Sequence, residues 1–270
     1  MSAIWVVAII AAAVCVCCWV ASLITGDTSW VDRIWSVVPV VYLWVFCGAA
    51  GFDDPRLLVM AILVTLWGAR LTFNFARRGG YSGMEDYRWQ ILRSKMSGPQ
   101  FGLFNLFFIV IYQNLLLVLI TLPANTALHH QGGFGVLDVV LAMLFLAFLA
   151  GETVADQQQW AFHARKAADV AAGREPASRF VRTGLFRYCR HPNYFCEQAQ
   201  WWVIYAFGAS AAGSVLQPSI VGAVLLTVLF IGSTRFTESI TVSKYPEYAD
   251  YQRSTSGYFP LPPRRHTQVA

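Results

Sequence analysis

The chain has 270 residues, of which 56% are hydrophobic and 13% charged, with a mean hydropathy of +0.48 and a net charge of +5. Soluble domains carry about a quarter charged residues, so this balance excludes an ordinary soluble fold and points to a membrane. A hydrocarbon core about 30 Å thick is crossed by a helix of roughly 20 apolar residues.

Seven stretches meet or approach that requirement, at about 3–25, 34–51, 57–76, 103–123, 134–153, 199–214 and 218–234. They predict an all-α polytopic bundle forming one domain over residues 1–270, with loops at about 77–102 and 154–198 and a tail at 236–270. The first stretch, AIWVVAIIAAAVCVCCWVASLI, lacks a basic flank and a cleavage site and is longer than a leader core, so it reads as a retained helix. Cys15, Cys17, Cys18 and Cys47 fall within predicted spans, where a free thiol packs as a small apolar group. Cys189 and Cys196 lack a CxxC spacing, which argues against structural zinc.

Basic residues are distributed unevenly. Arg77, Arg78, Arg88, Arg93 and Lys95 follow the third span; Arg165, Lys166, Arg174, Arg179, Arg182, Arg187 and Arg190 follow the fifth; Lys244, Arg253, Arg264 and Arg265 occupy the tail. The alternate loops hold only Arg56, together with His129 and His130. By the positive-inside rule this asymmetry predicts an N-terminus outside and a cytosolic C-terminus. The basic face is either a topological and lipid-contacting feature or the lining of an anion pocket.

Within YCRHPNYFCEQAQWW, Pro192 suits the first turn of a helix and places His191 near its N-cap. Asn193, Glu197 and Trp201 then recur at four-residue spacing on one face, below Arg190 at the positive end of the helix dipole. A carboxylate entering the bilayer, as Glu197 does, marks a functional site unless it merely pairs with Arg190 or a neighbouring arginine. His191 alone reads more readily as a capping or hydrogen-bonding residue than as a catalyst. A second set, GETVADQQQWAFHARK, places Glu152 and Asp156 one turn apart ahead of His163, Arg165 and Lys166. Those carboxylates can accept ribose hydroxyls or neutralise the nearby bases. Arg70 and Asn74, four apart near the end of the third span, form a third set, although Arg70 could also snorkel. Tyr112, Gln113 and Asn114 in the fourth span, and Arg235 with Glu238 after the seventh, are further polar islands. GxxxxGK[ST], a strand-linked GxGxxG, HExxH and GxSxG are all missing from the sequence.

The run GLFRYCRHPNYFCEQAQWW, with SRFVRT before it and TESITVSKYPEYADYQRSTSGYFP after the last span, resembles bacterial membrane proteins related to steroid 5-alpha-reductase. SWVDRIWSVVP, LWGARL, GGYSGMEDYRWQ and ADQQ look like the same branch, so the resemblance spans most of the chain. It implies a cytosol-facing pocket for NADPH and a hydrophobic substrate arriving from the lipid. By that similarity Asn193 and Glu197 would bind the nicotinamide carboxamide, Arg179 and the bases after Asp156 would face the phosphates, and Asp156 would lie near the ribose. His191, Arg190, Arg235 and Tyr245 match family positions, with Arg70 and His163 included among the cofactor-binding candidates. The glutamine–glutamate pair that holds the ketone in the characterised reductases, and the tyrosine that serves them as proton donor, are replaced here by IWSVVP and Trp67. The proton donor is therefore open among Asp32, Glu85, Asp86 and Tyr87.

The expected activity is NADPH-dependent reduction of a polarised carbon–carbon double bond in a lipid. An S-adenosylmethionine-dependent methyltransferase of the isoprenylcysteine carboxyl type, or a non-catalytic lipid-binding protein, are the alternatives. Neither a metal nor nucleic acid is expected as a partner, and transport is disfavoured because the polar residues gather at one end of the helices. The expected location is an integral position in a bacterial inner membrane.

Overall fold

The computed structural model describes residues 1–130 and 132–264; Arg265, counted above with the basic tail, lies outside the described residues. Every regular element among them is helical. The chain divides into two compact units, one of residues 1–145 and 201–226 and the other of residues 146–200 and 227–270.

The first unit starts with α1 (Ala3–Thr25), which stops where Gly26 turns left-handed at φ 67° and returns its N–H to Ser22 O. Two short helices follow, α2 (Trp30–Ile34) and α3 (Val38–Ala49). The next, α4 (Pro55–Arg77), is capped by Asp54, whose carboxylate accepts from the N–H groups of Arg56 and Leu57 at 2.8 and 3.0 Å. Then come α5 (Tyr87–Lys95) and α6 (Gly98–Phe104), the latter closed by a Ser97–Gln100 capping box. The fourth expected span is one long rod in which α6 passes through a π-helical stretch, Asn105–Tyr112, into α7 (Gln113–Leu119), followed by α8 (Leu122–His129). Close helix approaches rest on missing side chains. A Cβ on Gly68 would stand 2.5 Å from Ser36 O, and one on Gly208 would stand 2.7 Å from Pro123 O.

The remaining helices are α9 (Val136–Ala171), α10 (Pro192–Ala211), α11 (Ile220–Lys244) and α12 (Tyr248–Ser254). Most of α9, the first half of α10, most of α11 and all of α12 belong to the second unit. Its tail folds back along the chain: Phe180 packs on the rings of Tyr248 and Tyr251 at 4.9 and 5.6 Å, and the Tyr251 hydroxyl donates to Phe186 O.

Among the described residues five helices are long and apolar enough to cross a membrane: α1, α4, the Gly98–His129 rod, α9 and α11. That is the makeup of an integral membrane protein. The stretch expected as the second span forms the shorter, 12-residue apolar helix α3, about 18 Å long at 1.5 Å per residue. The stretch expected as the sixth span lies in the 20-residue α10, which is not among those five and whose N-terminal half carries the polar motif.

Arg56 does more than mark a loop. Its guanidinium grips Asp138 through Nε–Oδ1 at 2.7 Å and Nη2–Oδ2 at 2.9 Å, and donates to the carbonyls of Gly132 and Gly133 at 3.0 and 2.9 Å. Asp138 also accepts the Gly135 N–H at 2.8 Å. Both side chains are buried, at 4% and 2% exposure, so removing either leaves an uncompensated charge. We predict that Asp138→Ala lowers unfolding stability by about 3–5 kcal/mol, and that Arg56→Met combined with Asp138→Leu costs clearly less than the single change. Denaturation of both variants in mild detergent checks this; equal losses would contradict the pairing argument.

Candidate functional site

The second unit concentrates buried polar groups on facing helices. Pro192 opens α10, as its fixed φ predicts, and puts Asn193, half-buried, and Glu197, buried, one turn apart. On α9, Glu152 and Asp156 are buried at 1% and 3% exposure, also one turn apart. Gln200 joins the two helices: its Nε2 donates to Glu152 Oε2 at 2.6 Å and to Cys196 O at 3.2 Å. Three carboxyl groups and an amide are thus buried on α9 and α10. Carboxylates in such surroundings are costly unless a hydrogen-bond donor or a cation is shared with them.

Beside this group stands a tightly bonded hub. Glu238, on α11, accepts from Arg190 Nε at 2.6 Å, Arg190 Nη2 at 3.0 Å, His191 Nε2 at 2.9 Å, Gln252 Nε2 at 2.8 Å and the Tyr248 hydroxyl at 3.3 Å. Arg190 Nη1 donates to the carbonyls of Gln252 and Thr255, and its backbone N–H to Ser256 O at 2.8 Å. The RH of RHPNY therefore ties the entry of α10 to α11 and to the tail. Glu238 stood in the sequence only as a polar island; its density of donors becomes visible only when α12 folds back.

The other cofactor-binding candidates are more open. Arg179 pairs with Glu175 at 2.6 Å, with the two side chains 44% and 80% exposed, and its carbonyl accepts from Lys166 Nζ at 2.7 Å. His163 and Arg235 are exposed, the His163 ring meeting Phe162 edge-on at 5.4 Å. The Tyr245 hydroxyl accepts from Lys166 at 3.3 Å, with the Lys166 and Lys244 ammonium groups 5.0 and 5.4 Å from its ring.

Arg70 and Asn74 belong to the first unit, one turn apart on α4, and Asn74 accepts from Arg77 Nε at 2.9 Å. The proton-donor candidates lie in the same unit, where they fasten two segments together. Glu85 accepts from Thr28 N–H, Thr28 Oγ1 and Arg93 at 3.0, 2.8 and 2.7 Å, and Asp32 accepts from Trp89 Nε1 at 3.0 Å. Burial raises the Asp32 carboxyl above the ordinary carboxylate range, against the pull of Arg88 and the hydrogen bonds from Trp89 and Ser29. Asp86 caps α5 and binds Arg88, while Tyr87 is exposed at the start of the helix. SWVDRIW and GGYSGMEDYRW, separate in sequence, are thus one stapled element. Among the described residues no group of three His, Cys, Asp or Glu side chains is placed to hold a metal ion.

Cys189 reports on the hub. Its fully buried thiol donates to Gly257 O and Tyr258 O at 3.5 and 3.2 Å. Burial pushes it up to about 11 from the ordinary 9.0, so the folded protein holds the proton across that window; the stability this gives is fully present below about 9 and declines progressively as pH rises through about 11. We predict that maleimide labels Cys189 negligibly near pH 8 in the wild type and far faster in Glu238→Gln, where the tail loosens. Equal labelling of the two, read by peptide mass spectrometry, would show that Glu238 does not hold the tail.

Comparison with known proteins follows this anatomy. The sequence profile of the family described as "Protein of unknown function (DUF1295)" matches residues 18–255. The uncharacterised protein C594.04c of Schizosaccharomyces pombe is 39% identical over 258 residues, covering 90% of this chain and 75% of that protein. The cobalt-zinc-cadmium resistance protein CzcN of Cupriavidus metallidurans is 29% identical over 80 residues, covering 30% of this chain and 35% of that protein. No solved structure matches. With the profile covering the polar groups of both units and the fungal relative extending over nearly the whole length, the chain belongs to the DUF1295 family.

Proposed function

We propose that this protein is a membrane oxidoreductase that uses NADPH to reduce a carbon–carbon double bond, polarised by a carbonyl, in a hydrophobic lipid. One observation carries the reading: the buried Glu152, Asp156, Glu197 and Gln200 on facing helices of the second unit, next in sequence to an arginine-rich segment. Carboxylates so placed accept ribose hydroxyl and carboxamide N–H donors, and the exposed Arg182 and Arg187 are available to phosphates. The resemblance of RHPNYF and the tail motif to relatives of steroid 5-alpha-reductase supports the same assignment. In this reading Asn193 and Glu197 orient the nicotinamide, and the chain crosses the membrane seven times with α3 and α10 as the short crossings. The N-terminus lies outside, and the cofactor end faces the cytosol of a bacterial inner membrane. NADPH would supply the hydride; the chain's part is to orient it, exclude water and place an acid.

A second reading gains from one specific feature. Arg190 is held by Glu238 and Arg179 by Glu175, and the buried polar side chains of the second unit on α9 and α10, Glu152, Asp156, Glu197 and Gln200, are anionic or neutral. Such a lining also suits the sulfonium and ammonium charges of S-adenosylmethionine, hence a methyltransferase. The two cofactors differ in charge sign, and binding separates them. NADPH is expected to raise the melting temperature of detergent-purified protein, with the rise abolished in Asn193→Ala and Glu197→Ala. A rise with S-adenosylmethionine alone would replace the reductase assignment with the methyltransferase; no rise with either would overturn both.

A further inference from the structure

We propose that His191 is the acid–base residue of the second unit, exchanging a proton with bound substrate through Nδ1 while Glu238 holds Nε2. The ring does not cap α10: it accepts no hydrogen bond from the N–H groups of the first turn and reaches α11 instead, where Nε2 stands 2.9 Å from Glu238 Oε1. An ionised carboxylate only accepts, so Nε2 carries the proton in that bond and the tautomer is set. Among the described residues Nδ1 enters no hydrogen bond, and the side chain keeps 16% exposure. One nitrogen is therefore anchored and the other is open.

The surroundings suit the role. Tyr194 stacks on the imidazole at 5.3 Å with 23° between the planes, which covers one face of the ring. Arg190 pairs with Glu238 through two nitrogens and the Tyr248 hydroxyl donates to it at 3.3 Å, so the carboxylate that aims the ring is itself fixed. An imidazole oriented by a third group is the recurring arrangement of acid–base catalysis. Asn193 follows two residues later, at the same end of α10.

A second observation points to a ligand beside the ring. On α11, Thr234 lies between Phe230, which packs on Tyr194 at 4.8 Å, and Glu238, which meets His191; the three recur every four residues on one face. The Thr234 hydroxyl is 1% exposed and has no hydrogen-bond partner among the described residues, whereas those of Thr237 and Thr241 return to their own helix at 2.9 Å. A buried donor left open on the side that meets the start of α10 calls for an acceptor, and a substrate carbonyl oxygen is one.

The inference rests on the reductase reading for the step it serves. NADPH, oxidised to NADP+, gives a hydride to the β-carbon, and the electrons of the double bond move onto the carbonyl oxygen as an enolate. The Nδ1–H bond of the imidazolium then breaks as the enolate forms a C–H bond at the α-carbon, with the Thr234 hydroxyl donating to the oxygen. His191 ends as the neutral imidazole, its Nε2–H still on Glu238, and recovers a proton from water.

Two measurements on the full chain in detergent test this. Diethyl pyrocarbonate attacks an unprotonated ring nitrogen; near neutral pH it should modify His191 as well as the exposed His129, His130 and His163, read by peptide mass spectrometry. The long-chain enone 3-hexadecen-2-one should protect His191 alone. An inert His191 among reactive histidines would mean that Nδ1 is out of reach and would overturn the proposal without any nucleotide present. With NADPH and the same enone, His191→Gln, whose amide still donates to Glu238, should lower kcat by about 10²–10⁴-fold and keep the rise in melting temperature with NADPH. Added imidazole should restore turnover to His191→Ala. An unchanged kcat in His191→Gln, or loss of the NADPH effect with no rescue by imidazole, would make His191 a structural or cofactor-holding residue and overturn the assignment. A wild type that binds neither NADPH nor the enone counts against the reductase reading, and the labelling pattern then decides on His191 by itself.

Discussion

The second unit depends on one carboxylate. Glu238 binds Arg190 in a bidentate pair and also takes His191, Gln252 and Tyr248, so a single α11 side chain holds the entry of α10 and the returning tail. The guanidinium is largely buried, and without its partner it would be a charge in poor solvent, bonded to the carbonyls of Gln252 and Thr255 but with no carboxylate to balance it. Because Arg190 and His191 are fixed, so is the first turn of α10, and with it the register that points Asn193 and Glu197. A site built on a helix is only as well aimed as the helix start.

The first unit solves the same problem twice. Arg56 and Asp138 neutralise each other at one place, while Asp32, Glu85 and Asp86 are consumed by Trp89, Thr28, Arg93 and Arg88 at another. In the second unit Glu152, Asp156 and Glu197 are buried on α9 and α10, with Gln200 donating to Glu152. Buried carboxyl groups gathered on two neighbouring helices, more than the basic loops, are the physical case for chemistry in the second unit.

Much of this was legible in the residues. Hydropathy located the long helices, Pro192 located the start of α10, and four-residue spacing put Asn193 over Glu197 and Glu152 before Asp156. Length was less legible. The apolar run at 34–51 is interrupted by the turn at 35–37 and yields the 12-residue α3, because Pro39 starts a helix afresh and Gly51 ends it in the left-handed region. Pairings distant in sequence could not be read at all. Nothing local signals that Arg56 meets Asp138 or that Gln200 reaches Glu152; these follow from which helices pack together. Arg190 illustrates the limit best. Its place before a helix N-terminus suggested an anion contact, and its position among tail carbonyls gives it a protein carboxylate instead.

The π-helical stretch at Asn105–Tyr112 has a consequence for how this chain varies among its relatives. A π turn accommodates one more residue than an α turn between the same two ends. Losing a single residue there would let the rod relax to regular α-helix while the side chains on either side keep their facing. A one-residue gap in this segment is therefore compatible with an unchanged packing of the rod, whereas a gap in a regular α-helical part would turn every side chain beyond it by about 100°.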